Sequence, residues 1–523
     1  MFNYIDVSVC VLMLEAYVVL LVRRRNRSKG LPYPPGPKGL PLVGNINDVP
    51  RLEPYVAFKR WSQEYNSDII RLHILGKDLI VINTVEIARD LFEKRSAIYS
   101  DRPDAPMLND LVGFGWGTAN VHYGEDWRAM RRAFHQVFSP EKIKKYMDTN
   151  LESNRDLLVR LVDSPERFLE HFRHTTGRII MRIAYGIDIE PEDDPYILIA
   201  ERAIEGFAAA GNSEGYLVDF FPILKHVPAW FPGAAFKRQG NYWKPFVTAM
   251  LEKPFNHVKE QMRNGALLPE CIATTLLEGS FLKNTDTAWR EGIVKSSLAS
   301  MYAGGADTTV SSLSSFMLAM TLNPEIQKKA QKEIDKVLGT DRLPDYSDID
   351  SLPYVDAIVN ESLRWHPVLP LAVYHRLQED DVYNDYFLPK GSFCIGNSWA
   401  ILHDESVYPD PLSFNPDRYF DENGKRNPNV PEPSVAFGFG RRICPGRHFA
   451  MNSFWINVVT ILAAFEISRA VDENGKEIVP KEEYEPGLLM YPKPFRCRIR
   501  PRSAEYERMI RLAATETLPT NAG

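Results

Sequence analysis

Between Phe437 and Gly446 the chain reads Phe-Gly-Phe-Gly-Arg-Arg-Ile-Cys-Pro-Gly. Glycine gives up the most backbone entropy in regular structure and proline has no amide proton, so this run does not belong inside a helix or a central strand. Any fold of the chain has to turn tightly here, with backbone able to come close to whatever the turn faces. The turn presents one thiol, Cys444, with Arg441 and Arg442 just ahead of it. Neighbouring positive charge favours thiolate over thiol. A C-x-G step alone fits a buried structural cysteine as well as a metal-ligating thiolate. The full string is arranged for the ligand. Amide hydrogen bonds to such a sulfur tune the metal, and Pro445 has no N–H to give. We therefore expect one amide donor fewer on this sulfur and a bound metal that is a weaker oxidant.

The rest of the chain bounds what surrounds that turn. Its 523 residues, 44% hydrophobic and 25% charged, can bury a large core. A net charge of −6 suggests no nucleic-acid partner. Five cysteines without CxxC spacing argue against a disulfide framework or a zinc site and for a reducing compartment. Cys271, Cys394 and Cys497 read as packing residues. Val7 to Val22 is apolar except for Ser8 and Glu15, and a basic cluster from Arg23 to Lys29 follows it. A cleavable signal carries its charge in front, so residues 1–22 read as a single-pass anchor with the chain after it cytoplasmic. An interfacial helix is the alternative, because the span is short. Residues 23–45 form a basic, proline-rich hinge, stiff through Pro32, Pro34, Pro35 and Pro37.

Beyond the hinge, Leu79 to Ile82 reads as a buried strand and Val85 to Lys94 as a helix. Helical patterns then dominate, over Glu125 to Phe138, Glu141 to Leu161, Asn256 to Asn264, Thr287 to Leu322 and Pro324 to Val337. Short strands cluster around Phe387, Phe393 to Ile395 and Phe495 to Ile499. The expected fold is mainly α with small β sheets. One undivided catalytic domain covers 46–501, and a flexible tail covers 502–523.

Three further runs carry chemistry. Gly304-Gly305-Ala306-Asp307-Thr308-Thr309 lies midway along the longest helical pattern, where paired glycines weaken a helix and permit a groove. Glu361-Ser362-Leu363-Arg364 sets an acid and a base on one face in an apolar setting, and buried ions need partners; Arg418 is the candidate third member. Trp127 and Arg131 are four apart, so an indole N–H and a guanidinium can meet one carboxylate.

With the cysteine run, these motifs resemble the cytochrome P-450 superfamily, in family order from Pro32 to about Arg500. The resemblance implies haem b with Cys444 as the axial thiolate, in a loop opened by Phe437 and closed by Gly446. It implies Asp307 and Thr308 as an acid–alcohol pair delivering protons to iron-bound oxygen, and an architectural triad of Glu361, Arg364 and Arg418. Trp127, Arg131, Arg376 and Arg442 fall at propionate-binding positions. Arg128, Arg132, Lys142, Lys144 and Lys145 form a basic patch suited to an acidic reductase, or an ordinary solvated face.

Apolar substrate segments are expected at Met107, Leu111, Val112, Phe114 and Trp116, at Phe207 to Ala210, at Val368 to Leu371 and at Leu488 to Met490. Asp219 to Phe231 reads as a membrane-facing mouth. These segments and Asn397 to Asp404 look like fungal microsomal members, the O-methylsterigmatocystin oxidoreductase-like group. That implies a monooxygenase of the endoplasmic reticulum membrane, using dioxygen and NADPH electrons from a separate reductase. Its substrate would be a lipophilic terpenoid, or else a polyketide or alkaloid, of secondary metabolism. No G-x-G-x-x-G follows a strand, so electrons have to come from outside. A haem-thiolate isomerase is a competing reading that the acid–alcohol pair opposes. A haem-bearing binding protein without turnover is another, opposed by catalytic positions that are all filled.

Overall fold

The computed structural model describes residues 26–211, 215–266 and 269–516. The expected anchor over 1–22 lies outside them. Among the described residues no helix is long and apolar enough to cross a membrane.

The chain gathers into two compact units where one undivided body was expected. The smaller unit takes the chain up to Pro103, Leu371–Ile401 and Phe439–Arg441. It holds helix α1 (Pro54–Glu64) and a sheet. Strands β1 (Ile69–Ile74) and β2 (Lys77–Ile82) pair antiparallel across a turn at Leu75 and Gly76, both with positive φ. From later in the chain come β3 (His375–Arg376), the hairpin β4 (Asp381–Tyr383) and β5 (Tyr386–Leu388), and β6 (Phe393–Gly396). β6 pairs parallel with β2 and antiparallel with β3, giving the order β1-β2-β6-β3. Leu79 to Ile82 is buried, as its unbroken apolar run predicts. The Val85 to Lys94 pattern begins as an α-helix and continues from Arg89 as a π-helix.

The larger unit is helical. In chain order its long helices are α2 (Glu125–Phe138), α3 (Met147–Asp163), α4 (Phe168–Tyr185), α5 (Pro195–Ala210), α6 (Ala235–Arg263), α7 (Thr287–Leu322), α8 (Pro324–Leu338), α9 (Pro353–Trp365), α10 (Arg447–Ala464) and α11 (Ala504–Glu516). Strands β7 (Phe465–Val471), β8 (Glu477–Ile478) and β9 (Cys497–Pro501) make its small sheet. α7 is the spine, packed by α4, α10, α2 and β7. Its stretch from Thr309 to Thr321 and that of α10 from Ser453 to Ala464 are buried on all sides, as a helix surrounded by others has to be. Asp286 caps α7, accepting the Trp289 N–H at 2.8 Å.

The tail expected over 502–523 is helix as far as residue 516. Tyr506 and Ile510 are buried, Arg502 pairs with Asp335 at 2.5 Å, and Arg511 with Asp163 at 3.0 Å. A polar composition hid a two-residue apolar stripe, which is enough to dock a short amphipathic helix.

Candidate active site

Cys444 ends the loop three residues ahead of α10. Its N–H donates to the Phe437 carbonyl oxygen at 2.8 Å, which closes the turn. Gly438 in that turn is left-handed at φ 84, a conformation other side chains rarely adopt. Gly440 is left-handed too, and within the smaller unit a Cβ there would overlap the Phe92 carbonyl oxygen. Burial pushes the Cys444 thiol up, while the Gly446 amide hydrogen bond and the charges of Arg131 and Arg447 pull it down.

Arg131 reaches the loop from α2 and donates to the Ile443 carbonyl at 2.6 Å. Desolvation lowers its pKa, and no carboxylate pairs with it among the described residues. Arg442 is buried, lies with its guanidinium carbon 4.5 Å from the Trp127 ring centroid, and donates to the Val121 carbonyl at 2.8 Å. Trp127, Arg131 and Arg442 therefore converge beside Cys444. Arg376 belongs to the smaller unit, where it pairs with Asp101 at 2.6 Å.

α7 runs as unbroken helix through the paired glycines, and three carbonyls there accept a side-chain hydrogen bond. Gly304 is exposed between buried stretches of the helix. The Thr308 hydroxyl donates back to the Gly304 carbonyl at 2.7 Å. The Ala306 carbonyl accepts from Thr176 on α4 at 2.9 Å, and the Asp307 carbonyl accepts from Tyr491 at 2.8 Å. Side chains from outside thus supply donors to carbonyls in the middle of the helix. Burial raises the Asp307 carboxyl pKa, and the neighbouring Tyr491 hydroxyl and the charge of Arg173 oppose it.

These residues fit a porphyrin. A Cβ built on Gly304 or on Gly446 meets nothing within 4 Å, so backbone at both places leaves room for a flat group. Arg131 is a desolvated cation without a carboxylate of its own, ready for a propionate. Cys444 is the thiol on offer, with an amide and two guanidinium groups favouring its thiolate.

Behind the loop, Glu361 and Arg364 are 0% exposed and bidentate, at 2.7 and 2.9 Å. Arg418 donates to Glu361 at 3.1 Å. The remaining guanidinium donors go to the carbonyls of Leu402, Pro411 and Ser413 from Arg364, and of Pro409, Asp410 and Ser413 from Arg418. The spacing on α9 brings the first pair together, and the third residue joins Glu361 across 57 positions, as the resemblance implies.

The apolar segments also converge within the larger unit. The Phe114 and Phe207 rings meet edge to face at 5.1 Å. A Cβ on Gly211, one residue past α5, would come within 2.7 Å of Leu488. The Met490 N–H donates to the Val368 carbonyl at 2.9 Å. Two polar anchors escaped the sequence reading. Asp219 accepts the Met107 N–H at 2.9 Å, and Tyr491 holds Asp307. Each joins residues more than a hundred positions apart, and neither carries a local signature.

The family model "Cytochrome P450" matches residues 34–499. Cytochrome P450 monooxygenase 98 of Postia placenta is 42% identical over 498 residues, 95% of each chain. Cytochrome P450 monooxygenase COX2 of Coprinopsis cinerea is 42% identical over 509 residues, 97% of this chain and 95% of that one. Tryptamine 4-monooxygenase of Psilocybe cyanescens is 39% identical over 487 residues, 92% and 95% of the two chains.

Proposed function

The chain belongs to the cytochrome P450 family of haem-thiolate monooxygenases, and from that premise we propose that it hydroxylates a lipophilic secondary metabolite, a terpenoid before other classes. The bound haem supplies activation of dioxygen and transfer of one oxygen atom to carbon. Cys444 is the cysteine that ligates it. Arg131, Trp127 and Arg442 hold its acidic edge, and Phe437 and Gly446 frame the loop. Thr308 and Asp307 move protons along the middle of α7. Glu361, Arg364 and Arg418 fix the segment behind the cysteine.

The observation that carries the substrate class is the apolar convergence of Phe114, Phe207, Leu488 and Met490. A pocket lined this way suits a substrate with few hydrogen-bonding groups. The tryptamine hydroxylase among the relatives favours a second reading, an indole alkaloid. An ammonium group needs a carboxylate, and Asp219, the one beside Met107, is already engaged by two backbone amides. The terpenoid reading is therefore preferred.

The setting proposed is the endoplasmic reticulum membrane, with the catalytic part cytoplasmic and NADPH electrons delivered by a separate reductase. It is supported by the apolar segment and basic cluster at the start of the chain. It is also supported by the exposed apolar side chains Ile223 (74%) and Trp230 (79%) in the loop between α5 and α6. The test is reconstitution in vesicles with an NADPH-dependent reductase, offering terpenoid, polyketide and indole-amine panels under labelled dioxygen. One labelled atom in a terpenoid product is expected, together with loss of the thiolate-type carbonyl spectrum in Cys444→Ser. Label only in an indole amine would replace the substrate class.

A further inference from the structure

We propose that Tyr491 is a positioning residue that ties the substrate-lining loop Tyr484–Pro492 to Asp307, so that the proton relay is set only while the loop is seated. The inference rests on Asp307 acting in the relay and extends it to a residue that no motif marks. Three positions four apart on one face of α7 fasten this loop, Asp307 by its backbone carbonyl and Ser311 and Ser315 by their hydroxyls. The Tyr491 hydroxyl donates to the Asp307 carbonyl at 2.8 Å, the Ser311 hydroxyl donates to the Met490 carbonyl, and the Tyr484 hydroxyl donates to Ser315 at 3.2 Å. A bridge between Tyr484 and Pro492 closes the loop on itself. Leu488 and Met490, which line the apolar region, therefore lie within three residues of the phenol on Asp307. A substrate pressing on them bears, through that phenol, on the turn of α7 that carries the acid.

The groups around the Asp307 carboxyl are Tyr491 from the loop, Arg173 from α4 and Glu201 from α5; Arg173 and Glu201 lie 3.9 Å apart. Burial keeps the Tyr491 phenol protonated, a donor throughout the working range. The phenol and Arg173 both favour ionised Asp307, against desolvation. Removing the phenol therefore moves the carboxyl titration upward.

The experiment follows the protonated-carboxyl stretch of Asp307 in infrared difference spectra of the holoprotein against pH, assigned by its disappearance in Asp307→Asn. In Tyr491→Phe the midpoint is expected to rise by about half a pH unit. The share of NADPH electrons recovered in product should fall about threefold or more. In the Asp307→Asn background Tyr491→Phe should add nothing further. If Tyr491→Phe loses haem, Ser311→Ala loosens the same loop and is expected to move the midpoint the same way. An unmoved midpoint in the haem-replete variants, or additive losses in the double variant, overturns the inference. If Asp307→Asn itself couples normally, the relay reading fails with it; if Asp307→Asn uncouples and Tyr491→Phe does not, the inference alone fails.

Discussion

Pro445 and Gly446 set what the Cys444 sulfur can receive: the first has no N–H, and the second donates to it. An amide added at position 445 would stabilise the more negative, reduced state of the site. Pro445→Ala should raise the reduction potential by about 40 mV, the one-electron equivalent of a net hydrogen bond of about 1 kcal/mol. Spectroelectrochemistry measures it, and an unchanged potential would discard the proposed role of the missing amide. Thr308 makes a separate case. Its hydroxyl donates to the Gly304 carbonyl at 2.7 Å, back along the same turn of α7. Thr308→Ala should keep the carbonyl spectrum while NADPH is consumed with little product and hydrogen peroxide accumulates. Tight coupling in that variant would take Thr308 out of the relay. At this scale the sequence shows which residues carry chemistry where spacing is local, as for Trp127 with Arg131. It does not show that Arg131 donates to the Ile443 carbonyl or that Asp101 engages Arg376, because those pairings are set by the folded chain.

Between α9 and the short turn of helix Pro416–Tyr419, three buried charges hold two stretches of chain together. Removing one partner of a buried ion group leaves the others uncompensated, at a cost of about 3–5 kcal/mol. Glu361→Gln leaves both Arg364 and Arg418 without their carboxylate. It should lower stability by that amount in denaturant titration and reduce haem retention; wild-type stability would make the triad dispensable. Asp219 joins two further elements by accepting amide protons from Met107 and Tyr216, and burial pushes its carboxyl up to about 6. Its folded pKa lies above its unfolded one, so folding favours the protonated form. The resulting stability is present at acid pH and is lost as pH rises from about 4 through about 6. Asp219→Asn keeps an acceptor and carries no charge. Its melting temperature should match wild type near the acid end of that window and exceed it above the window, and parallel melting curves would refute this. Elements were legible where one period ran unbroken: α7 matches the Thr287 to Leu322 pattern at both ends. The pattern from Asn256 found only the end of α6, because Pro245 and Pro254 lie inside a helix that starts at Ala235. Proline removes one amide bond, and the burial of Trp243, Val247 and Met250 against neighbouring helices outweighs that loss.

Over the whole molecule, the sequence indicated a mainly helical chain with small sheets but not its division into two units, because the smaller one is assembled from three separated stretches. No local pattern marks residues 371–401 as partners of the first hundred, since the parallel pairing of β6 with β2 is a contact across some three hundred positions. Charge is easier to read. The chain is net −6, yet Arg128, Arg132, Lys142 and Lys144 are all exposed on α2 and the turn before α3. A local positive patch on a negative molecule attracts an acidic partner at short range and is screened within about 10 Å at 0.1 M salt. If this patch receives the reductase, the apparent KM for reductase should rise about tenfold between low and high salt. The substrate-induced spin shift, which involves no partner, should stay constant. Replacing the four cations by glutamine should give a high KM that no longer depends on salt, with the carbonyl spectrum intact. A variant whose salt dependence still follows wild type would make the patch an ordinary solvated face and move the electron-entry surface elsewhere.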